Sequence, residues 1–239
     1  MAKKINKKVS KIPTLPGPGP EKRISLQKMS DITWRIFRIM SEFVEGFEFL
    51  SKLKKEVTIF GSARLDHQNR WCREAEKLAK ILVKHKFTVI TGGGPGIMES
   101  ANKGAYSIDP SKSVGINIQL PTEQRINPYV KKSVGLYYFF TRKVMLAASA
   151  QAYIFFPGGY GTIDEFTEIL CLIQTGKMQK TPMILVGKEF WSPMVNWFEK
   201  TMVKKYRTAK PQDLKLFHVV DTAEQAFKYI KGSHERTIF

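Results

Sequence analysis

The order of apolar and polar residues along the chain predicts alternating strands and helices after residue 56. Short and almost wholly apolar runs are separated by stretches in which apolar residues recur at three- and four-residue steps. We therefore predict strands at 57–61, 87–92, 113–120, 152–158, 181–187 and 216–220. The predicted helices lie near 71–86, 96–107, 141–151, 162–176, 190–206 and 222–231.

Strands without a polar face are buried on both sides, which is typical of a parallel sheet covered by helices. The alternation of strand and helix therefore predicts an α/β fold, a doubly wound parallel sheet of Rossmann type flanked by helices. Ahead of this sheet, apolar residues that include Ile32, Ile36, Ile39 and Phe43 recur at helical spacing. That spacing predicts an added amphipathic helix over residues 25–50.

The first 23 residues differ from the rest in composition. Residues 13–22 read PTLPGPGPEK, which is too rich in proline and glycine for a helix or a strand. We predict a flexible basic arm at 1–23, a single Rossmann-type domain at 24–232 and a C-terminal tail at 233–239. A length of 239 residues suits one large domain.

The chain carries a formal net charge of +18, from 39 Lys and Arg against 21 Asp and Glu. Such an excess attracts nucleic acid, anionic membrane surfaces or anionic small molecules. The arm supplies +6 of this charge, because its seven basic residues stand against Glu21 alone, and the remainder of the chain keeps +12. Outside residues 139–145 the body has no clustered basic and aromatic platform, so we do not expect a nucleic-acid partner.

Two cysteines in a chain of this length do not make a disulfide framework, and no apolar run approaches the ~18 residues of a membrane span. The N-terminal lysines are not followed by the apolar core of a signal peptide. We therefore expect a cytoplasmic protein without a membrane partner. His67, His85, His218 and His234 lack metal-ligand spacing with the cysteines, so we predict no metal.

Three predicted strand ends carry the candidate chemistry, because ligands of doubly wound sheets bind beyond the carboxyl ends of the strands. They read FGSAR at 60–64, TGGGPGIMES at 91–100 and PGGYGTIDE at 157–165. Neither glycine cluster matches the dinucleotide fingerprint G-x-G-x-x-G, and the chain has no G-x-x-x-x-G-K-[ST] sequence. Glycines allow close approach to the backbone, and the following helix start offers N–H groups, an arrangement that suits phosphate.

Each of these features also has a purely structural explanation. The glycines can serve only as tight turns, and Thr162 with Glu165 forms T-x-x-E, the pattern of a capping box. Arg142 can lie on a solvated helix face, although a cation at a helix start opposes the helix dipole. Met98 can be a core residue, and loop 121–127 can be ordinary surface instead of a cover for a base.

The sequence PGGYGTIDE resembles the P-G-G-x-G-T-x-x-E signature of the LOG family, the phosphoribohydrolases of nucleoside 5′-monophosphates. TGGGPGIMESANKGA at 91–105 resembles the family's other signature, and Arg142 with Lys143 in FFTRKVM resembles its Arg-Lys pair. The match runs from about residue 56 to 200 and looks closer to the longer bacterial members. It implies hydrolysis of the N-glycosidic bond of AMP-like nucleotides, including cytokinin riboside monophosphates, to free base and ribose 5-phosphate.

The resemblance also implies roles for individual residues. Glu165 and Arg142 are then the catalytic residues, and departure of a base does build positive charge on the ribose that a carboxylate stabilises. The implied phosphate and ribose contacts are Gly158, Gly159, Gly161 and Thr162. Positions at the other strand ends and in the Arg-Lys pair add Ser62, Gly93 and Gly94 as phosphate contacts, and Met98 and Lys143 as candidate base contacts.

The predicted partner is a small nucleotide, without a cofactor, and the protein is expected to be a homodimer or a higher homo-oligomer. The helix over 25–50 and the stretch KVMLAASAQA at 143–152 offer more apolar surface than one sheet needs, and the resemblance implies such assemblies too. A nucleotide or cofactor carrier without hydrolysis is the alternative function. The preferred base, the number of subunits, the role of the arm and the acid that protonates the leaving base stay open.

Overall fold

The computed structural model describes residues 29–118 and 126–235. Within them lies one sheet of seven strands, in which every neighbouring pair is parallel. The strands are β1 (Glu56–Phe60), β2 (Thr88–Thr91), β3 (Ser113–Ile118), β4 (Lys132–Leu136), β5 (Ala152–Phe155), β6 (Met183–Val186) and β7 (His218–Val220). The helices are α1 (Met29–Ser51), α2 (Arg70–Lys84), α3 (Ile97–Tyr106), α4 (Phe139–Ala148), α5 (Tyr160–Gln174), α6 (Lys188–Trp197) and α7 (Ala223–Ile230). A π-helical segment, Phe198–Lys205, follows α6, and short 3-10 turns occupy Pro110–Lys112 and Pro211–Lys215.

The predicted doubly wound α/β fold is confirmed. All six predicted strands are present, most of them shorter than predicted, and a seventh, β4, was missed. Lys132 and Ser133 of β4 are exposed because this strand lies at the edge of the sheet. It therefore lacks the continuous apolar run that marks a strand buried on both faces.

Side chains that alternate along the strands fill two cores, one on each face of the sheet. Val57 and Ile59 of β1 pack on one side with residues of α2, α3 and α7. Phe60, Tyr153 and Phe155 pack on the other side with residues of α4, α5 and α6. Burial of these apolar side chains is the main stabilising contribution to the sheet.

The predicted N-terminal helix is present as α1. Its first part, up to Arg38, belongs to a separate structural unit, and the body of the protein begins at Ile39. In the body, Phe43, Phe49 and Leu50 of α1 pack against the core that contains α4 and α5. Residues 1–28 and 236–239 lie outside the described residues, so the division into arm, domain and tail stays a prediction. No helix of the described ranges has both the length and the apolar character that crossing a membrane requires.

The order of the strands reverses beside β1. The sheet runs β4-β3-β2-β1-β5-β6-β7, so the chain moves from β1 to one edge and then returns to β5 on the other side of β1. The segments that follow β1 and β5 therefore leave the sheet in opposite directions. They open a crevice at the carboxyl ends of these two strands, which is where doubly wound sheets bind their ligands.

Candidate active site

A cleft of about 720 Å³ opens at this reversal of strand order. Its volume lies in the range of sites that hold small molecules the size of a nucleotide. The wall comes from the segments after β1, β2 and β5, from α4 and from the start of α5. The residues that line it are Phe60, Gly61, Ser62, Ala63, Arg64, Gly92, Met98, Phe139, Arg142, Leu146, Gly158, Gly159, Tyr160, Gly161, Thr162, Ile163 and Glu165.

Ser62 connects the three segments that follow the strands. Its N–H donates to the carbonyl of Pro157 at 3.0 Å, and its carbonyl accepts from the N–H of Ile97 at 3.0 Å. The hydroxyl of Ser62 accepts from the N–H of Arg64 at 3.0 Å, which closes a local turn. These hydrogen bonds hold both glycine-rich turns against the segment after β1, so the cleft has a fixed backbone frame.

The start of α5 offers backbone groups without a side-chain cap. Gly159 is the N-cap residue and makes no side-chain capping bond, so Thr162 is the third helical residue and Glu165 the sixth. The capping box that the T-x-x-E sequence suggests is therefore not formed. A Cβ on Gly158 would lie 2.1 Å from Oγ1 of Thr162, whereas a Cβ on Gly159 or Gly161 would meet no heavy atom within 4 Å.

Glu165 is a buried carboxylate on the wall of this cleft. Only 5% of the residue is exposed, and Oε2 has no hydrogen-bond partner. Burial raises the pKa of Glu165 to about 7, and the positive charges of Lys143 and Arg142 only partly oppose that rise. Because buried polar atoms in folded proteins almost always have partners, the bare Oε2 on the cleft wall is available to hydrogen-bond a ligand.

Arg142 lies on the same cleft. Its Nε donates to the carbonyl of Ile116 in β3, at 3.0 Å. A Cβ on Gly92 would lie 2.3 Å from Nη2, so the glycine leaves the space that the guanidinium occupies. Burial lowers the pKa of Arg142, and the charge of Glu165 opposes that shift. The structure therefore places the two predicted catalytic residues on one cleft, with opposite charges.

Lys143 does not line the cleft. Its Nζ lies 2.5 Å from Oδ2 of Asp164 and 2.8 Å from Oε2 of Glu168, and 3.8 Å from Oε1 of Glu165. Burial lowers the pKa of Lys143, but the hydrogen bonds to Asp164 and Glu168 outweigh this and raise it. These ion pairs tie α4 to α5, and the predicted contact of Lys143 with a base stays a prediction.

The turn after β2 contributes Gly92 and Met98 to the wall, and Gly93 and Gly94 lie outside it. The N–H of Gly93 donates to Oγ1 of Thr91 at 2.9 Å. The predicted phosphate contacts of Gly93 and Gly94 therefore stay predictions.

Asn127 holds this turn from the other side. Its N–H donates to the carbonyl of Gly93 at 2.9 Å, and its Nδ2 donates to the carbonyl of Gly94 at 3.0 Å. Asn127 is buried, although the sequence assigned it to a surface or covering loop. The preceding residues of that loop, 119–125, lie outside the described residues.

Several side chains on the wall were not singled out from the sequence, among them those of Arg64, Phe139, Leu146 and Tyr160. Tyr160 is 93% exposed and Phe139 54% exposed, and aromatic faces of this kind stack with bases. Arg64 makes no ion pair with any described residue and adds a cation near the glycine turn. The signal for Arg64 and Tyr160 was their position inside FGSAR and PGGYG, at the two strand ends that flank the reversal.

The amino-acid sequence is similar to those of known proteins. Residues 98–230 match the model of a protein family described as "Possible lysine decarboxylase". The chain is 24% identical over 157 residues to the cytokinin riboside 5′-monophosphate phosphoribohydrolase of Rhodococcoides fascians. The aligned region covers 64% of this chain and 79% of that protein. It is 25% identical over 170 residues to a probable cytokinin riboside 5′-monophosphate phosphoribohydrolase of Oryza sativa subsp. japonica. Here the aligned region covers 71% of this chain and 73% of that protein.

Solved structures share the fold. The Moco carrier protein from Chlamydomonas reinhardtii is similar with a TM-score of 0.53 and 23% sequence identity, over 74% of this chain and 96% of that one. The molybdenum cofactor binding protein from Rippkaea orientalis gives a TM-score of 0.54 at 18% identity, over 74% and 93%. At these identities the likeness supports the fold alone.

The description of the matched family raises the question whether the cleft suits pyridoxal phosphate, which enzymes hold through a lysine Schiff base. None of the described residues that line the cleft is a lysine. Lys143 is bound instead by Asp164 and Glu168. The side chains of this cleft therefore do not fit that cofactor.

Proposed function

The chain belongs to the family described as "Possible lysine decarboxylase", the LOG family, and on this premise we propose that it is a nucleoside 5′-monophosphate phosphoribohydrolase. It hydrolyses the N-glycosidic bond of AMP-like nucleotides and releases the free base and ribose 5-phosphate. Cytokinin riboside 5′-monophosphates, which give the relatives in Rhodococcoides fascians and rice their names, belong to the same substrate class.

The observation that carries this proposal is the relation between the open start of α5 and Glu165. The space that a Cβ on Gly159 or Gly161 would occupy is empty. The helix start attracts a phosphate through its N–H groups and the helix dipole. Glu165 follows Gly161 on the same helix by about 6 Å along its axis, at 1.5 Å per residue. A phosphate at the glycines therefore leaves the ribose beside the bare Oε2 of Glu165.

The chemistry follows from the charges on the cleft. When the base departs from C1′, positive charge develops on the ribose, and the ionised carboxylate of Glu165 stabilises it and orients the water that adds to C1′. The proton that this water loses is balanced by the proton that the base gains. Arg142 carries the opposite charge on the same cleft and is suited to the electron-rich leaving base. Phe139 and Tyr160 supply aromatic faces for the base.

We also propose that the active protein is a homo-oligomer. Phe139, Phe140 and Tyr160, at and beside the cleft, are 54%, 46% and 93% exposed. Exposed apolar groups of this kind mark interaction surfaces. Light scattering coupled to size-exclusion chromatography measures the molar mass directly. The cytoplasmic location stays a prediction.

The experiment that tests the function is a nucleotide panel with product identification. We expect adenine and ribose 5-phosphate from AMP, and a loss of kcat of roughly 10³-fold in Glu165→Gln, the scale of removing a group that stabilises transition-state charge. Glu224→Gln, which changes an exposed carboxylate on α7, is the matched control and should keep the wild-type rate. If folded wild type releases no base from AMP, GMP, CMP, UMP or a cytokinin riboside monophosphate, the proposal is wrong.

A carrier that binds a nucleotide or cofactor without hydrolysis is the second candidate. The burial of Glu165 favours it, because burial raises the pKa of this carboxyl to about 7, and a carboxyl that keeps its proton binds by hydrogen bond without stabilising positive charge. Calorimetric titration with the same nucleotides separates the two functions. Tight binding without turnover at pH 8, where Glu165 is ionised, would favour the carrier.

A further inference from the structure

The start of α4, the helix that carries Arg142, has no cap of its own. Its N-cap residue Tyr138 makes no side-chain capping bond, and the first turn contains no acidic residue. Arg142 is the fourth helical residue and Lys143 the fifth, so two cations lie near the positive end of the helix dipole. Such a placement is unfavourable unless another group compensates for it.

Asp164 and Glu168 of α5 pair with Lys143, and Glu42, on the part of α1 that belongs to the body of the protein, adds a carboxylate at the first turn of α4 itself. Only 7% of the residue is exposed. Its carboxylate accepts from the N–H of Tyr137 at 3.0 Å and from the N–H of Tyr138 at 3.2 Å. Its Oε2 also lies 2.7 Å from the hydroxyl of Thr141 in the first turn of α4. A distant helix therefore provides both the acceptor and the negative charge that the start of α4 lacks.

We propose that Glu42 is a positioning residue for the reaction, which acts by fixing the start of α4 and thereby the guanidinium of Arg142. This inference rests on the proposed function. The N–H of Arg142 donates to the carbonyl of Tyr138 at 3.3 Å, which closes the first turn of α4. Glu42 binds the N–H of the same Tyr138 and so holds this turn in place. The added N-terminal helix is then part of the catalytic apparatus, although none of its residues lines the described cleft.

Position matters here because the far end of Arg142 is tightly constrained. Nε donates to the carbonyl of Ile116, and Nη2 fits above Gly92, where even a methyl group would collide with it. A shift of the first turn of α4 moves the guanidinium out of this slot. Misplacement of a catalytic group by about 1 Å costs up to about 10²-fold in rate.

The test is a double-mutant cycle between Glu42→Gln and Arg142→Ala, at a temperature where all variants are folded. Glutamine keeps the shape of the side chain but loses its charge and replaces one acceptor by a donor. We expect Glu42→Gln to lower kcat on AMP by roughly 10- to 100-fold. KM should change by less than about threefold, because the phosphate site lies on α5. In the Arg142→Ala background the same substitution should have no further effect on kcat, because it acts through Arg142.

Glu74→Gln is the matched control. Oε2 of Glu74 accepts from the N–H of Ala223 at 2.7 Å, so this carboxylate on α2 caps the start of α7, a helix that contributes nothing to the described cleft. Its loss should lower the melting temperature and leave kcat unchanged. Thr141→Val serves if Glu42→Gln does not fold, because it replaces by a methyl group the hydroxyl that lies 2.7 Å from both Glu42 and the carbonyl of Tyr138, and it should lower kcat in the same direction by a smaller factor.

Two results would overturn the inference: an unchanged kcat in Glu42→Gln, or effects of Glu42→Gln and Arg142→Ala that are fully additive. A readout independent of activity separates this inference from the proposed function. The Nε–H resonance of Arg142 in ¹⁵N NMR spectra should be protected by its bond to Ile116 in wild type and lose that protection in Glu42→Gln. If wild type hydrolyses no nucleotide and the Nε–H still loses its protection in Glu42→Gln, only the proposed function is wrong. If the Nε–H keeps its protection in Glu42→Gln, the positioning role is wrong.

Discussion

The turn after β2 and the turn after β5 both enter a helix through several glycines, but the space around those glycines differs. In the turn after β2, a Cβ on Gly93 would lie 2.2 Å from Nδ2 of Asn117, and a Cβ on Gly96 would lie 2.4 Å from the carbonyl oxygen of Ser62. Both glycines have positive φ, +73° and +69°. In the turn after β5, Gly159 and Gly161 have negative φ or extended backbone and open space where a side chain would be.

This difference separates two reasons for placing glycine at a strand end. The protein's own packing and backbone require Gly93 and Gly96 after β2, as packing also requires Gly158 after β5, so these glycines need no ligand to explain them. Nothing in the described protein requires hydrogen at Gly159 or Gly161, and a ligand that approaches the backbone closely would require it. The turn after β5 is therefore the better candidate for the phosphate site, and substitutions in the two turns should have opposite consequences.

The largest effect should come from Gly96→Ala in the turn after β2. Alanine at this positive φ is strained, and its methyl group would overlap the backbone of Ser62, which links both turns to β1. We expect a loss of about 4 kcal/mol in the free energy of unfolding, from roughly 1–3 kcal/mol of strain plus the overlap. Urea unfolding measures it. If Gly96→Ala is as stable as wild type, packing does not explain this turn.

The stability of the protein should depend on pH through Glu165, which lies on α5, the helix after the turn that follows β5. The pKa of Glu165 is about 7 in the folded protein and 4.5 in its ordinary environment, so the folded state holds the proton more tightly. Stability from this group is therefore complete below pH 4.5 and is lost as the pH rises through about 7. The difference amounts to about 3 kcal/mol at 1.36 kcal/mol per pKa unit.

The measurement is urea unfolding of wild type and Glu165→Gln between pH 5 and pH 8.5. Glutamine cannot ionise, so the variant should gain stability relative to wild type as the pH rises. If the difference in unfolding free energy between the variant and wild type does not change between pH 5 and pH 8.5, the pKa of Glu165 is not raised in the folded protein.

The sequence contains enough information to predict the sheet but not the difference between the two turns. Strands β1 and β5 are buried on both faces, so their apolar runs are visible without a structure, whereas the edge strand β4 carries polar residues that hide it. The reason for each glycine depends on atoms that are distant in sequence, such as Asn117 for Gly93. Glu42 was not predicted for the same reason, since the three groups that it binds lie 95 to 99 residues further along the chain.

Gly161→Ala should give a smaller effect, and on binding instead of folding. Alanine fits the open space and removes backbone entropy from the unfolded chain, so stability should stay the same or rise by about 0.4–1 kcal/mol. The methyl group should hinder a phosphate at the helix start and raise KM for AMP roughly tenfold, which is about 1.4 kcal/mol. Steady-state kinetics and thermal unfolding test both parts, with Gly232→Ala, also in open space, as the control. An unchanged KM would place the phosphate elsewhere.

The smallest effect should come from Arg64→Gln, which sharpens the position of the phosphate within the cleft. Arg64 lines the wall beside Ser62, is exposed and has no ion-pair partner among the described residues, so it is available to an anion from the solvent side. A solvated contact of this kind is worth about 1 kcal/mol, so KM for AMP should rise roughly fivefold with little change in kcat. The increase should shrink at high salt, because the contact is exposed to screening. A fall in kcat with an unchanged KM would instead indicate that Arg64 acts on the leaving base, and would move the phosphate away from the segment after β1.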